Sequence, residues 1–170
     1  IGRDGQKKKH NETGAQAAED FLKTTAFPPH KIKAVYDAIF THSNSSYGQQ
    51  KTLEAKILYD ADKLDAVGVM GISRSLIGIG NYNNPMYVIK DGKIDTSEQS
   101  ETDTFVRYYV RNLAKNYDRF FTKTARDIAE NLKKIDDEFF AAFLSTVNEN
   151  FKQLDDIDEL FGQAEDDVNE

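Results

Sequence analysis

The sequence predicts an all-α fold with one small β-hairpin, and three observations carry that reading. Apolar residues recur every three or four positions along most of the 170 residues, the period of helices that bury one face. The three prolines fall between these stretches and not inside them, as the cost of proline within a helix requires. Only the segment from Tyr87 to Ile94 departs from the helical pattern.

Taken in order, the first helix is expected to start at Asn11 as N-cap. It carries Ala15, Ala18, Phe21 and Leu22 at helical spacing. Pro28 and Pro29 end it and suit the start of the next. Ile32, Val35, Tyr36 and Ile39 then form one apolar face that ends near His42, and Ser43 to Gln50 is a polar loop. A long central helix is expected from about Thr52 to about Leu76, with Leu53, Ile57, Ala61, Leu64 and Gly68 as its buried stripe. Gly68 and Gly71 each weaken an isolated helix by about 1 kcal/mol, so close packing should compensate there. Gly78 to Pro85 is a loop, and Tyr87 to Ile94 is a hairpin turning at Asp91-Gly92. From Asp103 to about Phe161 the pattern is helical again, with Phe105, Tyr109, Leu113, Phe139, Phe140, Phe143 and Leu144 as core. This amounts to a single domain over residues 1–161 and an acidic tail over 162–170.

Composition narrows the function. There are no cysteines, which excludes disulfides and thiolate metal sites and makes the cytoplasm the expected compartment. No apolar run approaches the length of a membrane span. The net charge of −7 is concentrated at one end, because residues 155–170 carry eight acids and no Lys or Arg. Without them, 22 bases face 29 − 8 = 21 acids. A body near neutrality argues against a nucleic-acid polymer as partner. The Lys7-Lys8-Lys9 run is the one concentration of positive charge.

The chemistry-bearing stretch is Asp60-Ala61-Asp62-Lys63-Leu64-Asp65-Ala66. Asp62 and Asp65, three apart, share a helix face, whereas Asp60 points elsewhere. Three carboxylates within an apolar helix need a metal, a base or water to satisfy them. A solvated acidic face offset by Lys63 is the alternative. Of the histidines, His30 suits a surface position at a helix start, and His42 suits the negative end of a helix. His10 opens a helix, where a cation gains nothing from the dipole. None has the spacing of a His-Glu-x-x-His zinc helix, and no phosphate-binding glycine loop or nucleophile elbow is present.

The run from Glu54 to Ala66, followed by Gly68, Gly71-Ile72 and Arg74, closely resembles bacterial HD-domain phosphohydrolases, in particular the branch containing YpgQ and YedJ. His10 with Gly14-Ala15, then Ile39 with His42-Ser43, keep that branch's order, and Thr122 to Ala125 with Ile128-Ala129 resemble its C-terminal helices. The resemblance implies an HD-type helical bundle and one divalent metal ion held by His, His-Asp and a distant Asp. Asp62 matches the distant Asp. In this family the His-Asp pair is commonly followed by Ile-Gly, and the chain opens with Ile1-Gly2. The pair is therefore expected just upstream, the domain N-terminally incomplete, and the chain alone without turnover. Mononuclear imidazole and carboxylate ligation suits manganese, iron, nickel or cobalt better than magnesium.

The same resemblance sets His42 near the phosphate as acid or hydrogen-bond donor, with a helix-end role as its alternative. It offers Asp65 as an orienting group, and Lys8, Arg74 and His10 as substrate contacts, Arg74 being open to a structural pairing instead. The expected substrate is a small phosphorylated metabolite, first a nucleotide, with cleavage of a nucleoside triphosphate to monophosphate and pyrophosphate as one form. A homodimer is left open. The rivals are a non-catalytic nucleotide-binding or regulatory module on the same scaffold, and a binuclear phosphodiesterase recruiting His10 and His42.

Overall fold

The computed structural model describes the backbone of residues 10–166 and the side chains of residues 10–150. Lys7, Lys8 and Lys9 lie outside the described residues, as do the side chains of the acidic tail. Helix α1 spans His10–Lys23 and α2 Pro29–Phe40, followed by a 3-10 turn at Asn44–Ser46. Then come α3 (Leu53–Leu64), α4 (Gly68–Gly80), the strands β1 (Ile89–Lys90) and β2 (Lys93–Ile94), and the short α5 (Phe105–Tyr108). A π turn at Tyr109–Leu113 and a 3-10 turn at Ala114–Asp118 lead to α6 (Lys123–Asp166). No helix among the described residues is long and apolar enough to cross a membrane. The chain divides into two compact units, Ile1–Lys133 and Lys134–Glu170.

Threonines set three helix starts in the first unit. Thr52 accepts from the Ala55 amide, Thr104 from Arg107 and Thr122 from Ala125, each satisfying an amide that the helix leaves unpaired. The expected cap of α1 is corrected: His10 is already helical, so Asn11 lies within the helix and does not cap it. Its amide instead donates to the Phe40 carbonyl at 2.9 Å, tying the start of α1 to the end of α2. The hairpin forms as expected, pairing Ile89 with Ile94 and Lys90 with Lys93. Asp91 and Gly92 both have positive φ, 52° and 70°, as a tight two-residue hairpin turn demands.

The expected central helix is two helices. Asp65 caps α3, and Gly68 turns the chain into α4 with φ of 66°, a conformation glycine adopts at little cost. A Cβ on Gly68 would stand 2.9 Å from the Leu132 side chain, and one on Gly71 would collide with the Ala66 carbonyl. The Gly68 amide is met by the Tyr117 hydroxyl at 3.4 Å. The expected stripe is also corrected. Leu53 and Ile57 are 62% and 51% exposed, and Ala61 is exposed too. The buried face of α3 is Ala55, Tyr59, Asp60 and Lys63, because its neighbours satisfy polar groups there.

Val67, Phe120, Ala125 and Ala129 form a core in the first unit, flanked by Leu64, Tyr117 and Leu132. Phe105, Tyr109 and Leu113 are buried as expected. In the second unit Phe139 and Phe143 stack at 6.1 Å, with Phe140 edge-on to Phe139 at 5.2 Å. These rings are half-buried. Leu144, expected in the core, is exposed, since the aromatic cluster occupies neighbouring positions of the same helix.

Candidate functional site

Residues far apart in sequence line one cavity of about 460 Å³: His10 and Gly14 from α1, Ile39 from α2, His42 to Asn44 beyond it, and Asp62 with Lys63 from α3. The Asn11–Phe40 hydrogen bond fixes the α1 start beside the α2 end. The His10 and His42 rings meet edge to face, centroids 5.2 Å apart. The loop after α2 is held by Gln50, whose buried amide donates to the Thr41 and Ser46 carbonyls. Tyr59 pins the loop to α3 through a 3.1 Å bond from its hydroxyl to the Asn44 amide oxygen.

His42 Nδ1 lies 2.5 Å from the Ile39 carbonyl. A carbonyl only accepts, so this contact assigns the proton to Nδ1. Nε2 then carries the lone pair of the neutral ring and can accept a proton, donate one when charged, or bind a metal. Asp62 contributes an exposed carboxylate. The buried Lys63 ammonium contacts it at 2.5 Å and rests 5.1 Å from the centroid of the Tyr59 ring. The cavity therefore combines two imidazoles, one carboxylate and one cation.

The other expected site residues lie elsewhere. Asp65 does not line this cavity; it binds Arg74 Nη1 through both its carboxylate and its backbone carbonyl. The Asp62–Asp65 face is divided because Asp65 is already the cap of α3. Arg74 lines a second cavity, of about 820 Å³, alongside Gly78, Tyr82, Asn84, Asp103 and Tyr108. The binding role given to Lys8 falls outside the described residues.

Asp60 corrects the reading of the acidic cluster. It is 2% exposed, and its carboxylate accepts from the amides of Phe121 and Thr122 and from the Thr122 hydroxyl, at 2.9, 2.8 and 2.7 Å. It anchors the start of α6 across 61 or 62 residues of chain. Thr122 just before a helical run was the available signal, but its partner was not visible without the fold. Lys63, expected to offset charge on a solvated face, is instead buried against Tyr59. Its tyrosine neighbour on the preceding turn was the clue to its burial.

A family model described as "HD domain" matches residues 1–67. That span holds His10, His42 and Asp62, all three at one cavity. Over that span the chain is similar to the HD-domain family. Solved structures share the fold over more of its length. Bacillus subtilis YpgQ in complex with ADP superposes with a TM-score of 0.61 at 21% identity, covering 78% of this chain and 63% of YpgQ. A Lactobacillus plantarum protein gives 0.64 at 26% identity, covering 81% and 68%. A Bacillus thuringiensis HD-superfamily hydrolase gives 0.60 at 24%, covering 81% and 64%. The chain thus spans less than two thirds of the YpgQ length. By sequence, no curated protein matches it.

Imidazole and carboxylate, the donor types at this cavity, are ligand types that suit first-row divalent ions. Their number falls short: among the described residues no three His, Cys, Asp or Glu are grouped to hold a metal ion. Asp62 offers one carboxylate donor to that cavity.

Proposed function

We propose that this HD domain serves a metal-dependent phosphohydrolase acting on a small phosphorylated metabolite, a nucleotide first. The convergence of His10, His42 and Asp62 on one cavity carries the reading. YpgQ, of the same fold, was crystallised with ADP, which supports the nucleotide. Asp62 would hold the divalent ion, which when bound acidifies a water and offsets charge on phosphoryl oxygens. His42, its Nδ1 held by the Ile39 carbonyl, presents Nε2 to the phosphate as hydrogen-bond donor or acid. His10 braces that ring edge-on. The Lys63 ammonium holds the Asp62 carboxylate in place and adds positive charge to the cavity. The small cavity suits a monomeric phosphate ester over a polymer.

The test is metal-dependent release of phosphate or pyrophosphate across nucleoside triphosphates, sugar phosphates and cyclic dinucleotides. It is run on the 170-residue chain and on any longer form encoded with it. Nucleoside triphosphates should turn over faster than cyclic dinucleotides. Asp62→Ala should lower turnover by more than about 100-fold, beyond what loss of an outer partner costs, with the melting curve unchanged. Wild-type turnover in Asp62→Ala would sink the assignment.

One observation favours a second reading, a non-catalytic nucleotide-binding module: Lys63 already neutralises Asp62. Nucleotide binding with no metal uptake in either form would select it.

A further inference from the structure

We propose that the second cavity, bounded by α4, the loop after it and α5, is a nucleoside subsite that holds the base and sugar of a nucleoside phosphate. Its volume of about 820 Å³ lies within the roughly 300–1,000 Å³ of small-molecule sites. The lining offers what a nucleoside needs. Tyr82 and Tyr108 are 65% and 41% exposed, two aromatic rings able to stack on a flat heterocycle. The Asn84 amide can both donate to and accept from a base edge. The Asp103 carboxylate accepts from an exocyclic amine or from ribose hydroxyls. Its contact with Arg107 Nη1 at 3.3 Å is exposed, so a ligand can share it.

Arg74 supplies the anion contact. Asp65 holds it through Nη1, which orients the guanidinium and leaves Nε and Nη2 to donate to a phosphate. Gly78 keeps the cavity open: a Cβ added there would meet nothing within 4 Å. This stretch of wall is bare helix backbone beside empty space. Continuity supplies the last argument. Ala66, in the turn after α3, lines the cavity and follows Asp62 by four residues, a reach of at most roughly 14 Å of extended chain. A nucleoside in the groove would direct its phosphate past Arg74 toward the cavity of His10, His42 and Asp62. The proposal rests on the phosphohydrolase reading only for the fate of that phosphate.

The experiment is equilibrium titration calorimetry on the full chain, with four nucleoside monophosphates, ribose 5-phosphate and inorganic phosphate as probes. At least one nucleoside monophosphate should bind tenfold or more tightly than ribose 5-phosphate. Gly78→Leu should erase that advantage while leaving inorganic phosphate binding and the melting temperature unchanged. Tyr108→Leu, at an exposed ring, serves as the second variant should Gly78→Leu fail to fold, and should also lower the advantage. No preference for any nucleoside, or a preference that survives both substitutions, overturns the subsite. Groove-dependent binding without hydrolysis by any form would instead overturn the hydrolase reading and leave the subsite standing. Hydrolysis of phosphate esters with no groove-dependent preference would do the reverse.

Discussion

The junction of α3 with α6 and the cavity beside α1 draw on neighbouring carboxylates of one helix under opposite conditions. Asp60, at the junction, is buried and accepts three hydrogen bonds from Phe121 and Thr122. Asp62, two residues on, is exposed at the cavity with one cation against it. A buried carboxylate survives only where its lone pairs are met. One left accessible keeps its charge available to a ligand. The contrast separates a residue that builds the fold from one proposed to serve the site.

The largest effect expected from that contrast is on stability at the junction. Asp60→Ala strands two amides and a hydroxyl at the start of α6 and should cost on the order of 3 kcal/mol, read from urea unfolding. Asp62→Ala should change stability by less than about 0.5 kcal/mol, as exposed substitutions do. Similar losses in both variants would break the comparison.

An intermediate effect is expected from Tyr59, whose ring packs 5.2 Å from Phe121 at the same junction. Burial pushes its hydroxyl up to about 12 from the ordinary 10. Above pH 10 the unfolded chain releases a proton that the folded chain retains, so stability falls between pH 10 and pH 12. The fall is at most about 2–3 kcal/mol, and nothing is lost below pH 10. Tyr59→Phe should remove this alkaline component from the pH dependence of the unfolding midpoint. Parallel curves for the two proteins would assign the titration to another group.

The smallest effect is expected at the Asp65–Arg74 pair, exposed on both sides. Asp65→Asn should cost no more than about 1 kcal/mol, and less at high salt, measured by unfolding at two ionic strengths. A larger, salt-insensitive loss would mean that the cap of α3 matters more than the ion pair.

Much of the fold was legible along the chain. The periodicity placed α1, α2 and the helical C-terminal part, and Asp91-Gly92 placed the hairpin turn, because these depend on local spacing and local φ preference. Gly68 and Gly71 were legible as costs but not as a break, since the turn is decided by contact with Leu132 and Ala66. The DADKLDA run pointed to Asp62 and to Asp60 lying off its face, but not to the amides that hold Asp60, while Asp65 takes the structural pairing with Arg74 that the sequence left open.

By itself the sequence determined the helical class, the resemblance of its first part to the HD domain and the set of charged side chains from which a site could be built, all properties carried by residue type and spacing. Tertiary structure alone decided which of those charges are buried and which face a cavity. His10 and His42 share a cavity because Asn11 ties α1 to the end of α2. Asp60 is consumed by α6 because amides 61 and 62 residues away come to it. Such partners have no spacing rule, and only packing brings them within hydrogen-bond reach.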